Sequence, residues 1–172
     1  KLDSERRDFT INAIYMDIKG KIFDPQNGTL DLKNNNVKFI GDPQKRIEED
    51  YLRIIRFLRF SIQYDSVADD TTIEALKLNL NEFNKISKER ILDELFKILK
   101  LRNFRNIIKY ENRKLIFSLI FPELKYLDRL QKLNKTDIDS KVKIDNLLAI
   151  LLIDEKDNHE YFSHKYRVSN EI

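Results

Sequence analysis

Residues 41–60 read GDPQKRIEEDYLRIIRFLRF, and the reading of this stretch decides the fold. Gly41, Asp42 and Pro43 punctuate its start, where a helix can begin. Beyond them Ile47, Tyr51, Ile54, Ile55, Leu58 and Ile62 recur at three- and four-residue spacing. That spacing predicts one helix with a single apolar stripe. Its other face is charged, with Arg46, Glu49, Asp50, Arg53 and Arg56. Glu49 and Arg53 stand four apart and Asp50 and Arg53 three apart, so on a helix they are neighbours. Alone, such a face is most often a solvated one carrying ion pairs. Here acids and bases converge within one turn, and a second cluster, Arg6-Arg7-Asp8, lies upstream.

Towards the N-terminus the pattern changes. Residues 6–13 read as a short helix, followed by a strand over 14–18 that ends at Gly20. Residues 21–24 predict a second strand, 25–28 a turn, 31–36 a helical turn and 37–40 a last strand. Three short strands are too few for a sheet covered on both faces. Towards the C-terminus the pattern is helical throughout, with a break at 64–68. Asp69 or Asp70 is expected to cap a helix ending near Leu78, and residues 79–86 to connect. Ser87 is expected to cap a helix with the stripe Ile91, Leu92, Leu95, Ile98 and Leu99. Further helices are predicted over 104–110, 113–121, 122–133, 140–153 and 158–166. The fold class is therefore mostly α, with a short α+β piece over residues 1–42 and a helical region over 43–172.

Composition bounds the rest. The 172 residues can hold one ordinary domain or two small ones. With 41% hydrophobic residues there is enough apolar matter for a core, and 35% charged residues keep the surface wet. There is no Cys, which excludes disulfides and thiolate metal sites and suits a cytoplasmic setting. No apolar run reaches membrane-spanning length, and no signal peptide is visible. The net charge of +3 requires any nucleic-acid contact to come from local clusters of Arg and Lys. The chain begins at Lys1 and its single Met is Met16, so the native start is expected upstream.

The two charged clusters suggest a chemistry. A nucleoside triphosphate site needs cations for phosphate oxygens and polar groups for ribose hydroxyls. Arg6, Arg7 and Asp8 offer both, although most such triplets are surface charge. Cytosine and adenine share one edge pattern, an exocyclic amino donor beside an unprotonated ring nitrogen. A carboxylate such as Asp50 accepts from the amino group, and a guanidinium such as Arg53 donates to the ring nitrogen. Uracil and guanine mismatch both bonds, and buried groups left unpaired cost about 1–3 kcal/mol each.

Four segments carry a resemblance: RRDFTINAI (6–14), FDPQNGTLDL (23–32), FIGDPQKRIEEDYLRIIRFLRF (39–60) and ISKERILDELFKIL (86–99). In this order and spacing they resemble consecutive motifs of the class II tRNA nucleotidyltransferase and bacterial poly(A) polymerase family. The resemblance covers about the first hundred residues. It implies the C-terminal part of a nucleotidyltransferase head over 1–42 and a helical neck and body over 43–172. It implies nucleotide-binding roles for Arg6, Arg7, Asp8, Asn12, Glu49, Asp50, Arg53 and Arg56. Arg7 and Asp8 would lie near the triphosphate and ribose, Asp50 and Arg53 would read the base, and Glu49 would support Arg53. Residues 86–95 would brace this helix, and 23–32 would be either a flexing link or simply a tight turn. ATP, CTP and a tRNA or other RNA 3′ end are the implied partners.

The family head also carries a D-x-D pair that holds Mg²⁺, and in the family it lies upstream of the segment RRDFTINA. The one D-x-D here, Asp137-Ile138-Asp139, lies between helical patterns and reads as helix-capping acids. The isolated chain is therefore expected to lack the metal-binding half and not to transfer nucleotides alone. Two classes of function stay open. One is the recognition part of an RNA 3′-end nucleotidyltransferase, for CCA addition or polyadenylation. The other is a non-catalytic remnant, including a split product that needs a separate chain with the head. His159 and His164 read as surface or core histidines. Lys125, Arg129, Lys132, Lys135, Lys141 and Lys143 read as a solvated face, with phosphate contacts to RNA as the alternative.

Overall fold

The structure, a computed structural model, describes residues 2–134 and 143–168. Asp137, Asp139, Ser140, Lys135 and Lys141 lie outside the described residues, as do residues 169–172. The chain forms two compact units, Lys1–Glu82 and Phe83–Ile172.

The first unit starts with a short helix α1 (Leu2–Glu5) and a 3₁₀ turn over Thr10–Asn12. A two-stranded antiparallel hairpin follows, β1 (Tyr15–Met16) on β2 (Ile22–Phe23), with Tyr15 opposite Phe23 and Met16 opposite Ile22. Next come α2 (Gly28–Lys33), α3 (Pro43–Glu49), α4 (Leu52–Gln63) and α5 (Asp70–Leu78). Asp24 starts α2: its carboxylate accepts the N–H groups of Gly28 and Thr29 and the Thr29 hydroxyl, at 2.6–2.8 Å. Asp42 caps α3 through the N–H groups of Gln44 and Lys45, with Pro43 in the first turn. Asp69 caps α5 through Thr72 N–H at 2.7 Å.

Three readings of this unit need correction. The helix expected from Pro43 to Phe60 is two helices. Asp50 is extended (φ −157°, ψ 105°), and its carboxylate takes the Leu52 N–H at 3.1 Å. The side chain thus replaces a backbone partner and restarts the helix, as capping acids do. Residues 6–13 form no α-helix, only the 3₁₀ turn over Thr10–Asn12, because Phe9 is extended and bridges Phe39. The strand expected over 37–40 shrinks to that bridge, flanked by Thr10 N–H to Lys38 O and Ile40 N–H to Asp8 O. Its other end is diverted when the Val37 N–H bonds the Ser66 hydroxyl.

The core of this unit is an aromatic cluster. Phe9 meets Phe39 at 4.9 Å, Phe60 at 5.4 Å and Phe57 at 6.0 Å between ring centroids, and Phe39 stacks on Phe57 at 5.5 Å. Ile47, Ile54, Ile55, Leu58 and Ile62 are buried as their spacing predicts, and Phe57 joins them.

The second unit is helical. After a 3₁₀ segment at Leu80–Lys85, its helices are α6 (Lys88–Leu99), α7 (Glu111–Ile120), α8 (Arg129–Asn134), α9 (Ile144–Leu152) and α10 (Asn158–Tyr166). Ser87 caps α6, whose Ile91, Leu95, Ile98 and Leu99 are buried. A second 3₁₀ segment, Phe104–Lys109, precedes α7. The helix expected from Pro122 begins only at Arg129. The Glu123 carbonyl accepts from the Asn158 side chain at 2.9 Å, which holds residues 122–128 in turns. Among the described residues no strand lies beyond β2, and no helix is long and apolar enough to cross a membrane.

Gly28 fixes how α2 meets the 3₁₀ turn. A Cβ there would sit 2.1 Å from the Thr10 carbonyl oxygen and 2.7 Å from its carbon. Backbone cannot yield that distance cheaply, so Gly28→Ala should destabilise the chain by about 1–3 kcal/mol or more. A denaturant midpoint equal to that of the wild type would refute this packing.

Candidate functional site

The site grows from the bridge at Phe9. Adjacent residues of an extended segment project to opposite sides. Phe9 enters the aromatic core, and Asp8 is turned to α4. There its Oδ1 accepts from Arg53 Nε at 2.8 Å and its Oδ2 from Arg56 Nε at 2.5 Å. Arg53 Nη1 also donates to Glu49 Oε2 and to the Arg46 carbonyl, both at 2.5 Å. Arg46 closes the ring, donating to the same Glu49 oxygen at 2.6 Å and to the Arg7 carbonyl at 2.5 Å.

The side chains of Arg53 and Asp8 are 11% and 15% exposed, so their charges are largely withdrawn from water. Burial alone would lower the Arg53 pKa. The hydrogen bond to Glu49 and the charge of Asp8 outweigh it, and the pKa is raised. The hydrogen bond from Arg53 holds the Glu49 carboxyl below its usual range, with Arg46 adding to the effect. Arg53 is thus a fixed cation clamped at Nε and Nη1. Among the described residues its Nη2 carries no hydrogen bond.

The other expected residues take different places. Arg6 and Arg7 reach Asp3 at 3.2 and 3.1 Å, and Tyr15 donates to the same carboxylate at 2.9 Å. The Tyr15 hydrogen bond, followed by that of Arg7, lowers the Asp3 pKa. Both arginines stay at least half exposed. Asp3 went unnoticed in the sequence, although its spacing of three and four from two arginines was a signal. Asn12 lies half-buried in the 3₁₀ turn. Asp50 does not share a helix with Arg53. It precedes α4, and the Asp50 carbonyl accepts the Arg53 N–H at 3.0 Å.

In the second unit the basic series separates. Arg129 donates to the carbonyls of Ile150 and Ile153 and stacks on Tyr126 at 3.8 Å, and Lys125 pairs with Asp154 at 3.7 Å. These two serve the fold. Lys143 instead joins Lys100, Arg102 and Arg105 around a cavity of about 380 Å³ whose described lining holds no carboxylate. His159 and His164 line a mainly apolar cavity of about 840 Å³ beside α9 and α10. Among the described residues no group of three or more His, Cys, Asp or Glu is placed to hold a metal ion.

Comparison with known proteins adds relatives to this geometry. Residues 1–38 match the family model of the "Poly A polymerase head domain", and residues 69–127 that of the "Probable RNA and SrmB- binding site of polymerase A". The CCA-adding enzyme of Staphylococcus haemolyticus is 37% identical over 162 residues, 92% of this chain and 38% of that enzyme. The CCA-adding enzyme of Lactobacillus helveticus is 47% identical over 96 residues, 56% of this chain and 24% of that enzyme. The chain thus spans 24% to 38% of the length of these relatives. A solved CCA-adding enzyme in complex with CTP superposes over 99% of this chain and 44% of that one, with a TM-score of 0.73 and 24% identity. That likeness shows a shared fold.

Two expectations follow for stability. A double-mutant cycle on Asp8→Ala and Arg53→Met should give a coupling of about 1.5–3 kcal/mol, because a charge-assisted bond between largely buried groups is lost. A coupling near zero would mean that the pair is solvated. Glu49 has a folded pKa below its unfolded one. Its contribution is therefore present above the unfolded value and is lost as pH falls through the folded one. Since its side chain is half exposed, screening limits that contribution to under about 1 kcal/mol. Glu49→Gln should flatten the acid limb of the stability curve, and an acid limb identical to that of the wild type would contradict the assignment.

Proposed function

We propose, for a chain that belongs to the family of CCA-adding enzymes and poly(A) polymerases, that it forms the nucleotide-reading and RNA-binding part of a template-independent RNA 3′-end nucleotidyltransferase. The supporting observation is the clamped Arg53. Asp8 and Glu49 hold its guanidinium, and its Nη2 carries no hydrogen bond among the described residues. A rigid donor beside an acceptor can select a base edge with little entropy to lose on binding. Arg53 donates to the ring nitrogen of cytosine or adenine. Asp50, which precedes α4, accepts from the amino group. Its carboxylate accepts the Leu52 N–H, and with about four lone-pair sites a carboxylate can accept several donors at once.

Arg6 and Arg7 then meet the triphosphate, exchanging Asp3 for phosphate oxygens at exposed positions. Asp8 and Asn12 face the sugar, and Arg56 holds Asp8 from the other side. CTP and ATP are the assigned nucleotides, consistent with a relative solved with CTP. The acceptor is a tRNA 3′ end, with Lys100, Arg102, Arg105 and Lys143 available to RNA phosphates. Mg²⁺ belongs to the complete reaction. The role assigned to these residues is binding and orientation. A cytoplasmic setting completes the reading.

Titration of the chain with each nucleoside triphosphate tests it. CTP and ATP should bind about tenfold or more tightly than UTP and GTP, the ratio expected for one or two charged hydrogen bonds. Arg53→Ala should weaken CTP and ATP together, and Asp50→Asn should reduce the preference. Equal affinity for all four nucleotides would overturn the assignment.

A further inference from the structure

We infer that Arg46 is a positioning residue that sets the geometry of both carboxylates clamping Arg53, and through them the base edge that Arg53 can read. The inference rests on the nucleotide-reading role proposed above, and Arg46 is not among the residues expected from the sequence to bind nucleotide.

The geometry is specific. The Arg46 side chain is 12% exposed. Its Nη2 donates to the Arg7 carbonyl at 2.5 Å, which pins the peptide that leads into Asp8. Its Nη1 donates to Glu49 Oε2 at 2.6 Å, the same oxygen that receives Arg53 Nη1. One guanidinium therefore anchors both of the acids that grip Arg53: Asp8 through its preceding backbone and Glu49 directly. The Arg46 carbonyl supplies the third anchor of Arg53, at 2.5 Å. Both terminal nitrogens of Arg46 are spent on protein groups, while its Nε is buried with no hydrogen-bond partner among the described residues.

Without this fork the half-exposed Glu49 carboxylate keeps Arg53 as its one partner among the described residues, and the Arg7 carbonyl loses its bond, leaving the backbone bridge at Phe9 and Phe39 to hold the segment. Arg53 would still carry its charge, yet its plane would wander. A base read by two directed bonds loses discrimination when the donor plane moves, whereas a phosphate held by charge loses little. Only a planar two-pronged donor spans both acceptors. A lysine ammonium keeps the charge as a point and cannot reproduce the fork.

The test uses the full chain with Arg46→Lys and, as a second variant, Arg46→Met. Two readouts are taken: the side-chain Nε–H exchange of Arg53 by nitrogen-15 NMR, and the affinity ratio of CTP to UTP. In both variants the Arg53 Nε–H should exchange about tenfold faster, and the ratio should fall about tenfold towards unity, the loss of one directed charged bond. Affinity for inorganic triphosphate should stay within about twofold, because the phosphate contacts rest on charge. If Arg46→Lys restores wild-type exchange and ratio while Arg46→Met does not, the role is generic charge and the inference fails. If neither readout moves in either variant, the inference fails while the nucleotide assignment stands. If the wild type shows no CTP preference but Arg53 Nε–H still responds, the positioning role stands and the nucleotide assignment falls.

Discussion

The charge pair between Asp8 and Arg53 is the constraint on which the first unit depends. It joins residues 45 positions apart, and each partner is largely withdrawn from water. Charges in that condition must be paired, because breaking such a pair costs far more than forming it gains. The pair exists because Phe9, next to Asp8, is buried against Phe39, Phe57 and Phe60. Apolar packing thus decides where the carboxylate goes, and the carboxylate decides how Arg53 lies.

The position of Arg53 is itself costly. It is the second residue of α4, where the helix dipole favours anions and disfavours a cation. Asp8, Glu49 and the Arg46 carbonyl offset that cost. A local rule broken and then compensated by several groups is what a binding site produces more often than a scaffold does. The break before α4 belongs to the same design. In a continuous helix the Leu52 N–H would be bonded four residues back and the Asp50 carboxylate would have no part in starting α4. The cap on Leu52 instead holds the carboxylate at the helix start, beside the arginine with which we propose it works.

Much of this was legible in the chain. The stripe Ile47, Ile54, Ile55, Leu58 and Ile62 follows helical spacing on both sides of the break and is buried. Ser87 and Asp69 announced their helices, and the Glu49–Arg53 pair follows from a spacing of four. The break at Asp50 was hidden because Glu-Asp-Tyr-Leu keeps apolar periodicity through it. Only the competition between side chain and backbone for the Leu52 N–H distinguishes the two outcomes. Phe9 looked helical because its partner, Phe39, lies thirty residues away, and no local pattern shows such a bridge. The late start of α8 depends on Asn158 claiming the Glu123 carbonyl, a contact equally remote in sequence. Arg46 was visible as one charge among several. Its role emerged only when the Arg7 carbonyl came within reach.

A structure of this chain with CTP bound would decide the matter. The account requires the cytosine edge to lie against Arg53 Nη2 and the Asp50 carboxylate, with Arg53 still clamped by Asp8 and Glu49 and with Arg6 and Arg7 turned from Asp3 to phosphate. CTP bound only at the cavity of Lys100, Arg102, Arg105 and Lys143, with Arg53 and Asp50 unaltered and out of contact, would contradict it.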